Sequence, residues 1–143
     1  MTDVAKRAVI TGASSGIGHA LARELASRGW SLALLARRAE LLETLATEVR
    51  ARGVAASAIA CDVSDLAAVR AAVARAEAEL GGPFDLAVAN AGISVPTWAS
   101  NFKVEDAERV MRVNVFGMFY LFDAVVPSMV ARGTGRFAGI ASI

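Results

Sequence analysis

The chain of 143 residues has the length of one ordinary domain, and its 55% hydrophobic content is enough to bury a sizeable core. Its 15 basic and 14 acidic residues are scattered and leave a formal net charge of +1, which excludes a disordered tail and gives no electrostatic case for nucleic acid or an anionic membrane surface. A single cysteine, Cys61, excludes an intrachain disulfide, and a single histidine, His19, excludes the usual zinc site.

The start, Thr2 to Lys6, is polar and mixed, so no secretory signal is expected. No apolar run approaches membrane-span length, and the expectation is a soluble, cytoplasmic protein that makes no membrane contact. Ala8 to Ile10 is an apolar run that feeds the turn Thr11-Gly12-Ala13-Ser14-Ser15-Gly16-Ile17-Gly18. Ile17, Leu21 and Leu25 then recur every four residues, which predicts a helix. Strand, glycine loop and helix together bring unpaired backbone N–H groups and the positive end of a helix dipole to one point, and such a point binds phosphate. Gly12 is read as the turn residue, Gly16 as room for a diphosphate and Gly18 as room for the helix to pack on the sheet. Ser14 and Ser15 offer hydroxyls to phosphate or ribose, and Ile17 offers its N–H.

Further on, Ser31 to Ala36 reads as a short buried strand, and Leu41, Leu42, Leu45 and Val49 mark a helix that ends at Gly53. Val54 to Ala60 is a third strand. Ser64 or Asp65 caps the next helix, which shows Leu66, Val69, Val73 and Leu80 before the Gly81-Gly82-Pro83 stop. Phe84 to Ala89 is strand four, followed by a longer loop from Gly92 to Asn101. Helix fills roughly Val104 to Arg132, with Pro127 expected to bend its last turns, and Phe137 to Ala141 reads as strand five. Continuous apolar strands between amphipathic helices predict an α/β domain over residues 1–143: a doubly wound parallel sheet, a Rossmann fold, in the order 3-2-1-4-5. An edge strand that ended the chain would expose unpaired backbone, so the sequence is expected to be the first part of a longer one, cut at or just after strand five.

In such a sheet ligands sit at the carboxyl ends of the strands. After strand two comes Arg37-Arg38, with no acid until Glu40. An NAD site needs an acid there for the ribose 2′-OH, whereas guanidiniums suit a 2′-phosphate, so NADP(H) is expected over NAD(H); a solvated helix start is the plainer alternative. After strand three, Asp62 either accepts from an adenine amino group or caps a helix start. After strand four, Asn90 can bridge neighbouring strand-end backbones, and Ala91 and Gly92 leave space for a ribose. Asn114, an amide among Val113, Val115 and Phe116, needs a partner if buried and is either structural or functional.

Taken together, the loop T-G-x-x-x-G-x-G, Asp62-Val63, Asn90-Ala91-Gly92, Asn114 and the closing segment Gly135 to Ile143 resemble the short-chain dehydrogenase/reductase family. One departure is Ala89, where the family pattern has a first Asn. The resemblance implies hydride transfer between a nicotinamide and a carbonyl or secondary alcohol, a small-molecule substrate, and a homodimer or homotetramer; the helix carrying Phe116, Phe119 and Phe122 either forms part of that subunit interface, as its counterpart does in the family, or packs in the core. It also implies that Asp62 and Val63 sit against the adenine and that Asn114 holds a helix irregularity open and orders a water in a proton relay. Ser142 is then a catalytic serine that polarises the substrate carbonyl. The family's Tyr-x-x-x-Lys pair has no counterpart here: Tyr120 precedes Ser142 and is followed four residues on by Ala124. These 143 residues are therefore expected to be inactive alone. The rival reading is a nucleotide-binding or regulatory module without chemistry. A methyltransferase-like protein fits poorly, since an acid is missing after strand two and the loop spacing is wrong.

Overall fold

The computed structural model describes residues 5–142; Met1–Val4 and Ile143 lie outside the described residues, and with them most of the polar start and the last residue of the closing segment. Five parallel strands form one sheet in the order expected, 3-2-1-4-5. The strands are β1 (Arg7–Thr11), β2 (Ser31–Ala36), β3 (Ala56–Ala60), β4 (Leu86–Ala89) and β5 (Arg136–Gly139). Between them lie α1 (Gly16–Ser27), α2 (Ala39–Arg50), α3 (Leu66–Leu80), and α4 (Val104–Met111), which runs through a π-helical turn (Arg112–Phe116) into α5 (Gly117–Arg132).

The centres of β1, β2 and β4 read as apolar because both sheet faces are covered there, whereas β5 is exposed at three of its four positions. Val9, Ala33 and Leu35 point into one core with Val69, Val73, Leu121 and Val125 of α3 and α5. Their neighbours Ala8, Ile10, Leu32 and Leu34 point the other way, into a core with Leu25 of α1 and Leu42, Leu45 and Val49 of α2. Burying one such side chain fully contributes about 1.5–3 kcal/mol, so alternate residues of one strand stabilise both layers. Register follows: Val9 stands beside Ala33 on one side and Ala87 on the other.

Pairing, not hydropathy, sets the strand ends, and this corrects several boundaries. Strand three begins at Ala56 rather than Val54, and strand four at Leu86 rather than Phe84. Phe84 is apolar because it is fully buried in the core, not because it pairs. Strand five is Arg136–Gly139 rather than Phe137 to Ala141, and Ile140 N–H still reaches Ala89 O at 2.9 Å. The apolar face expected for α1 is also corrected. Ile17 is 63% exposed, and the buried positions of α1 are Gly18, Ala22, Leu25 and Ala26, three of them small.

Asp65 caps α3, its Oδ1 accepting from Ala68 N–H at 3.1 Å, and Gly81 ends that helix at φ 76°. The last helix continues through Pro127; its irregularity lies upstream, at the π turn. Read across that turn, Val104–Arg132 is 29 residues long with a most apolar window of mean hydropathy 1.5, and 22% of that window is buried. The expectation that no run approaches membrane-span length is corrected: by length and composition this helix suffices. Leu121, Val125 and Met129 are buried against the core, Phe122 sets its ring edge-on to Phe137 of β5 at 5.2 Å, and Phe116 and Phe119 are exposed.

Candidate functional site

At the carboxyl ends of the strands the chain forms one open cleft of ≈ 1220 Å³. Ligand pockets for small molecules run about 300–1,000 Å³, so the cleft has room for an extended ligand. Its floor is the β1–α1 loop. Gly12 turns the chain at φ 66°, and a Cβ there would lie 2.8 Å from Ala91 Cα. Gly16 opens α1 at φ 59° with nothing within 4 Å of where a Cβ would stand, so the backbone is bare over the helix start. Gly18 faces not the sheet but the Asn90 amide and the Gly12 carbonyl, each 2.5 Å from an added Cβ. The first helical bond is His19 N–H to Ser15 O, at 3.3 Å. Ser15, the N-cap, makes no side-chain cap bond, and the first turn carries no acid. The amides of Gly16, Ile17 and Gly18 therefore precede the helix ladder at its positive end.

The loop is held from two sides. Ala13 N–H donates to Leu35 O at 3.2 Å, tying it to β2. On the other side Thr11 Oγ1 accepts from the N–H groups of Asn90 (3.0 Å) and Ala91 (3.1 Å). Asn90 Nδ2 returns two bonds, to Thr11 O (3.1 Å) and Gly12 O (3.2 Å). This is the strand-end bridge expected of Asn90. Together they lock the tips of β1 and β4, where the strand order reverses direction.

Arg37 and Arg38 both line the cleft beyond β2. Arg38 Nη2 donates to Ser14 Oγ (3.2 Å) and Ser15 Oγ (3.0 Å), which links the arginine pair to the glycine loop. Beyond β3, Asp62 Oδ1 accepts from Ser64 Oγ at 2.7 Å and Ser64 N–H at 2.9 Å. The Ser64 hydroxyl first, and its amide second, hold the Asp62 carboxyl below its ordinary range; Arg37 adds a smaller pull. Asp62 thus shapes a turn ahead of α3, while the cap itself belongs to Asp65. Cys61 beside it is buried, and burial above all, with Asp62 and Asp65 assisting, pushes its thiol up to about 11. A thiol so protonated is a poor nucleophile, in agreement with the expected packing role.

Asn114 sits in the π turn. Its Oδ1 accepts from Ile93 N–H at 2.8 Å and its Nδ2 donates to Ile93 O at 2.9 Å. The expectation of a buried amide is corrected: Asn114 is exposed at the cleft wall and is satisfied by backbone. A π turn inserts one residue into the helix ladder, and here the extra turn brings the amide out to the loop after β4. Ser142 lines the same cleft, three residues past the end of β5.

Of the residues singled out from sequence, Gly12, Ser14, Ser15, Ile17, Arg37, Arg38, Asp62, Val63, Asn90, Ala91, Gly92, Asn114 and Ser142 line this one cleft. Gly16 and Gly18 are not part of that lining: Gly16 stands bare at the start of α1, and Gly18 is buried against the Asn90 amide and the Gly12 carbonyl. Tyr120 and His19 lie off the cleft, Tyr120 with its ring 6.1 Å from that of Phe116. Sequence reasoning gave no part in the site to Ile93, Val113 or Met118, which line the cleft, and it counted Thr11 in the loop motif without its bonds to the β4 end. Thr11 carried a local signal, a polar residue ending an apolar strand. No group of three or more metal-binding side chains occurs among the described residues.

A family model described as short chain dehydrogenase matches residues 6–143. Gluconate 5-dehydrogenase of Gluconobacter oxydans is 38% identical over 137 residues, which is 96% of this chain and 53% of that protein. An alcohol dehydrogenase structure from the archaeon Thermococcus sibiricus, complexed with 5-hydroxy-NADP, superposes with a TM-score of 0.87 at 35% identity, over 94% of this chain and 57% of that one. A xylitol dehydrogenase structure with NAD+ bound superposes with a TM-score of 0.90 at 34% identity, over 96% of this chain and 53% of that one. The chain thus spans about half the length of these relatives.

Proposed function

The chain belongs to the short chain dehydrogenase family of oxidoreductases, and from that premise we propose that these residues bind NADP(H), in preference to NAD(H), for hydride exchange with a carbonyl or secondary alcohol. The observation that carries this reading is the union of the glycine loop, the arginine pair and the Asn114 turn around a single cleft. When bound, the nicotinamide would supply or take up the hydride. The bare backbone at Gly16 and the amides at the start of α1 suit its diphosphate, and the small residues Ala91 and Gly92 leave room for a ribose.

For the rest, the chain's own groups have separable tasks. Arg37 and Arg38 offer guanidiniums to a 2′-phosphate, and after β2 no acid occurs before Glu40 to favour a free 2′-OH. Asp62 and Val63 flank the adenine. Ser142 donates a hydrogen bond to the substrate carbonyl, and Asn114 keeps the π turn and the loop at Ile93 in register for a proton relay. The exposed aromatics of α5 meet a second copy of the chain in a homodimer or homotetramer, which works in the cytoplasm. Titration calorimetry of the full natural chain with NADPH and NADH tests the proposal. NADPH is expected to bind the more tightly; equal affinities would remove the preference, and no heat with either would remove the cofactor.

A further inference from the structure

Gly117 is the first residue of α5 and is buried, yet its backbone is ordinary right-handed helix, φ −57° and ψ −36°. No left-handed turn calls for glycine there, and inside a helix glycine is about 1 kcal/mol worse than alanine. The reason lies in what a side chain would meet. A Cβ at Gly117 would stand 2.8 Å from Val63 Cγ2, 3.1 Å from Val63 Cβ and 3.3 Å from Val63 O. Val63 has room to give only on the side it exposes, toward the cleft. It is β-branched and so stiff at χ1, and its backbone is held by the Asp62 turn, with Ser64 N–H on Asp62 Oδ1 at 2.9 Å and Asp65 N–H on Asp62 O at 3.2 Å. Val63 is 6% exposed, and what it does expose lines the cleft.

We propose that Gly117 is a positioning residue for the adenine side of the cleft: the absence of its side chain sets how far Val63 stands back, and so the width of the slot that receives the base. The proposal rests on the cofactor reading above and adds to it a residue that touches no ligand. An added methyl at position 117 pushes Val63 outward into the slot, narrowing it from behind. On the other side of the cleft the Asn114 amide is held by the Ile93 backbone, not by Val63, and a backbone-preserving Gly117→Ala leaves that hold in place.

The test measures binding of adenosine diphosphate and, separately, nicotinamide mononucleotide to the full natural chain carrying Gly117→Ala, Val63→Ala, or both. Gly117→Ala is expected to weaken the adenine ligand by about tenfold or more, the equivalent of about 1.4 kcal/mol, and to leave the nicotinamide ligand unchanged. Val63→Ala alone costs no more than a few-fold. The double variant, in which the added methyl at position 117 faces only the shortened side chain at position 63, recovers adenine binding to the level of Val63→Ala. Recovery in the double variant supports the proposal even where Gly117→Ala alone fails to fold. A folded Gly117→Ala with unchanged adenine affinity overturns it, as does a double variant no better than Gly117→Ala. A parent chain that binds neither ligand overturns the cofactor reading instead.

Discussion

Thr11→Val keeps the size and branching of a residue that is 2% exposed and removes one oxygen. That oxygen is the acceptor for Asn90 N–H at 3.0 Å and Ala91 N–H at 3.1 Å, and it donates weakly to Val88 O at 3.5 Å. A donor left without a partner costs about 1–3 kcal/mol when buried; Asn90 and Ala91 are half-buried, so each falls near the lower end and the pair sums to about 2–3 kcal/mol. With a urea dependence of about 2 kcal/mol per molar, the unfolding midpoint falls by about 1–1.5 M. Thr11→Ser is the control, since it keeps the hydroxyl and deletes only a methyl worth about 0.8 kcal/mol. Urea titrations followed by far-ultraviolet circular dichroism measure both variants. A Val variant within about 0.5 kcal/mol of the parent, or a Ser variant as weak as Val, would refute the reasoning that Thr11 locks the two strand tips.

The two arginines are expected to act on one cofactor only: Arg37→Ala with Arg38→Ala weakens NADPH by about 10–100-fold, in keeping with about 1.5–3 kcal/mol for hydrogen bonds to a charged group, and leaves NADH nearly unchanged. Unaltered discrimination in calorimetry would assign the pair to a solvated helix start. Glu77 supplies a pH test. Its Oε1 is buried without a hydrogen-bond partner, and burial raises its carboxyl above the ordinary 4.5 against a smaller opposing pull from Arg132. Since the folded value lies above the unfolded one, the ionised group costs stability that is fully regained below the ordinary value and lost again as pH rises through the folded one. Glu77→Gln should therefore raise the melting temperature at pH 7 and do little near pH 4, and a variant that melts lower at pH 7 contradicts the assignment. Finally, the 143 residues alone should show no useful carbonyl reduction, because Tyr120 is followed four residues on by Ala124 and no other tyrosine is present. A positioned acid/base is worth about 10²–10⁴-fold, so a robust NADPH-dependent rate from this chain would sink that expectation.

Sequence alone determined the layer order and the glycine loop ahead of α1, because both are local. Runs such as Leu32 to Ala36 are apolar at every position only when both sheet faces are covered, and the spacing of Gly12, Gly16 and Gly18 marks a tight turn into a helix whose first residue, Gly16, is left bare. Hydropathy misread Ile17 and Phe84, since an apolar residue can face a ligand cleft or fill a core without pairing. Only the tertiary structure decided what joins the cleft together. Thr11 meets Asn90 across 79 residues, Asn114 meets Ile93 across 21, and Arg38 meets Ser15 across 23. Such contacts depend on which strand tips lie side by side and on the rise of a π turn, and no local pattern carries that. Gly117 is the sharpest instance: its neighbour Val63 lies far away in sequence, and the need for an empty Cβ arises only when the two meet.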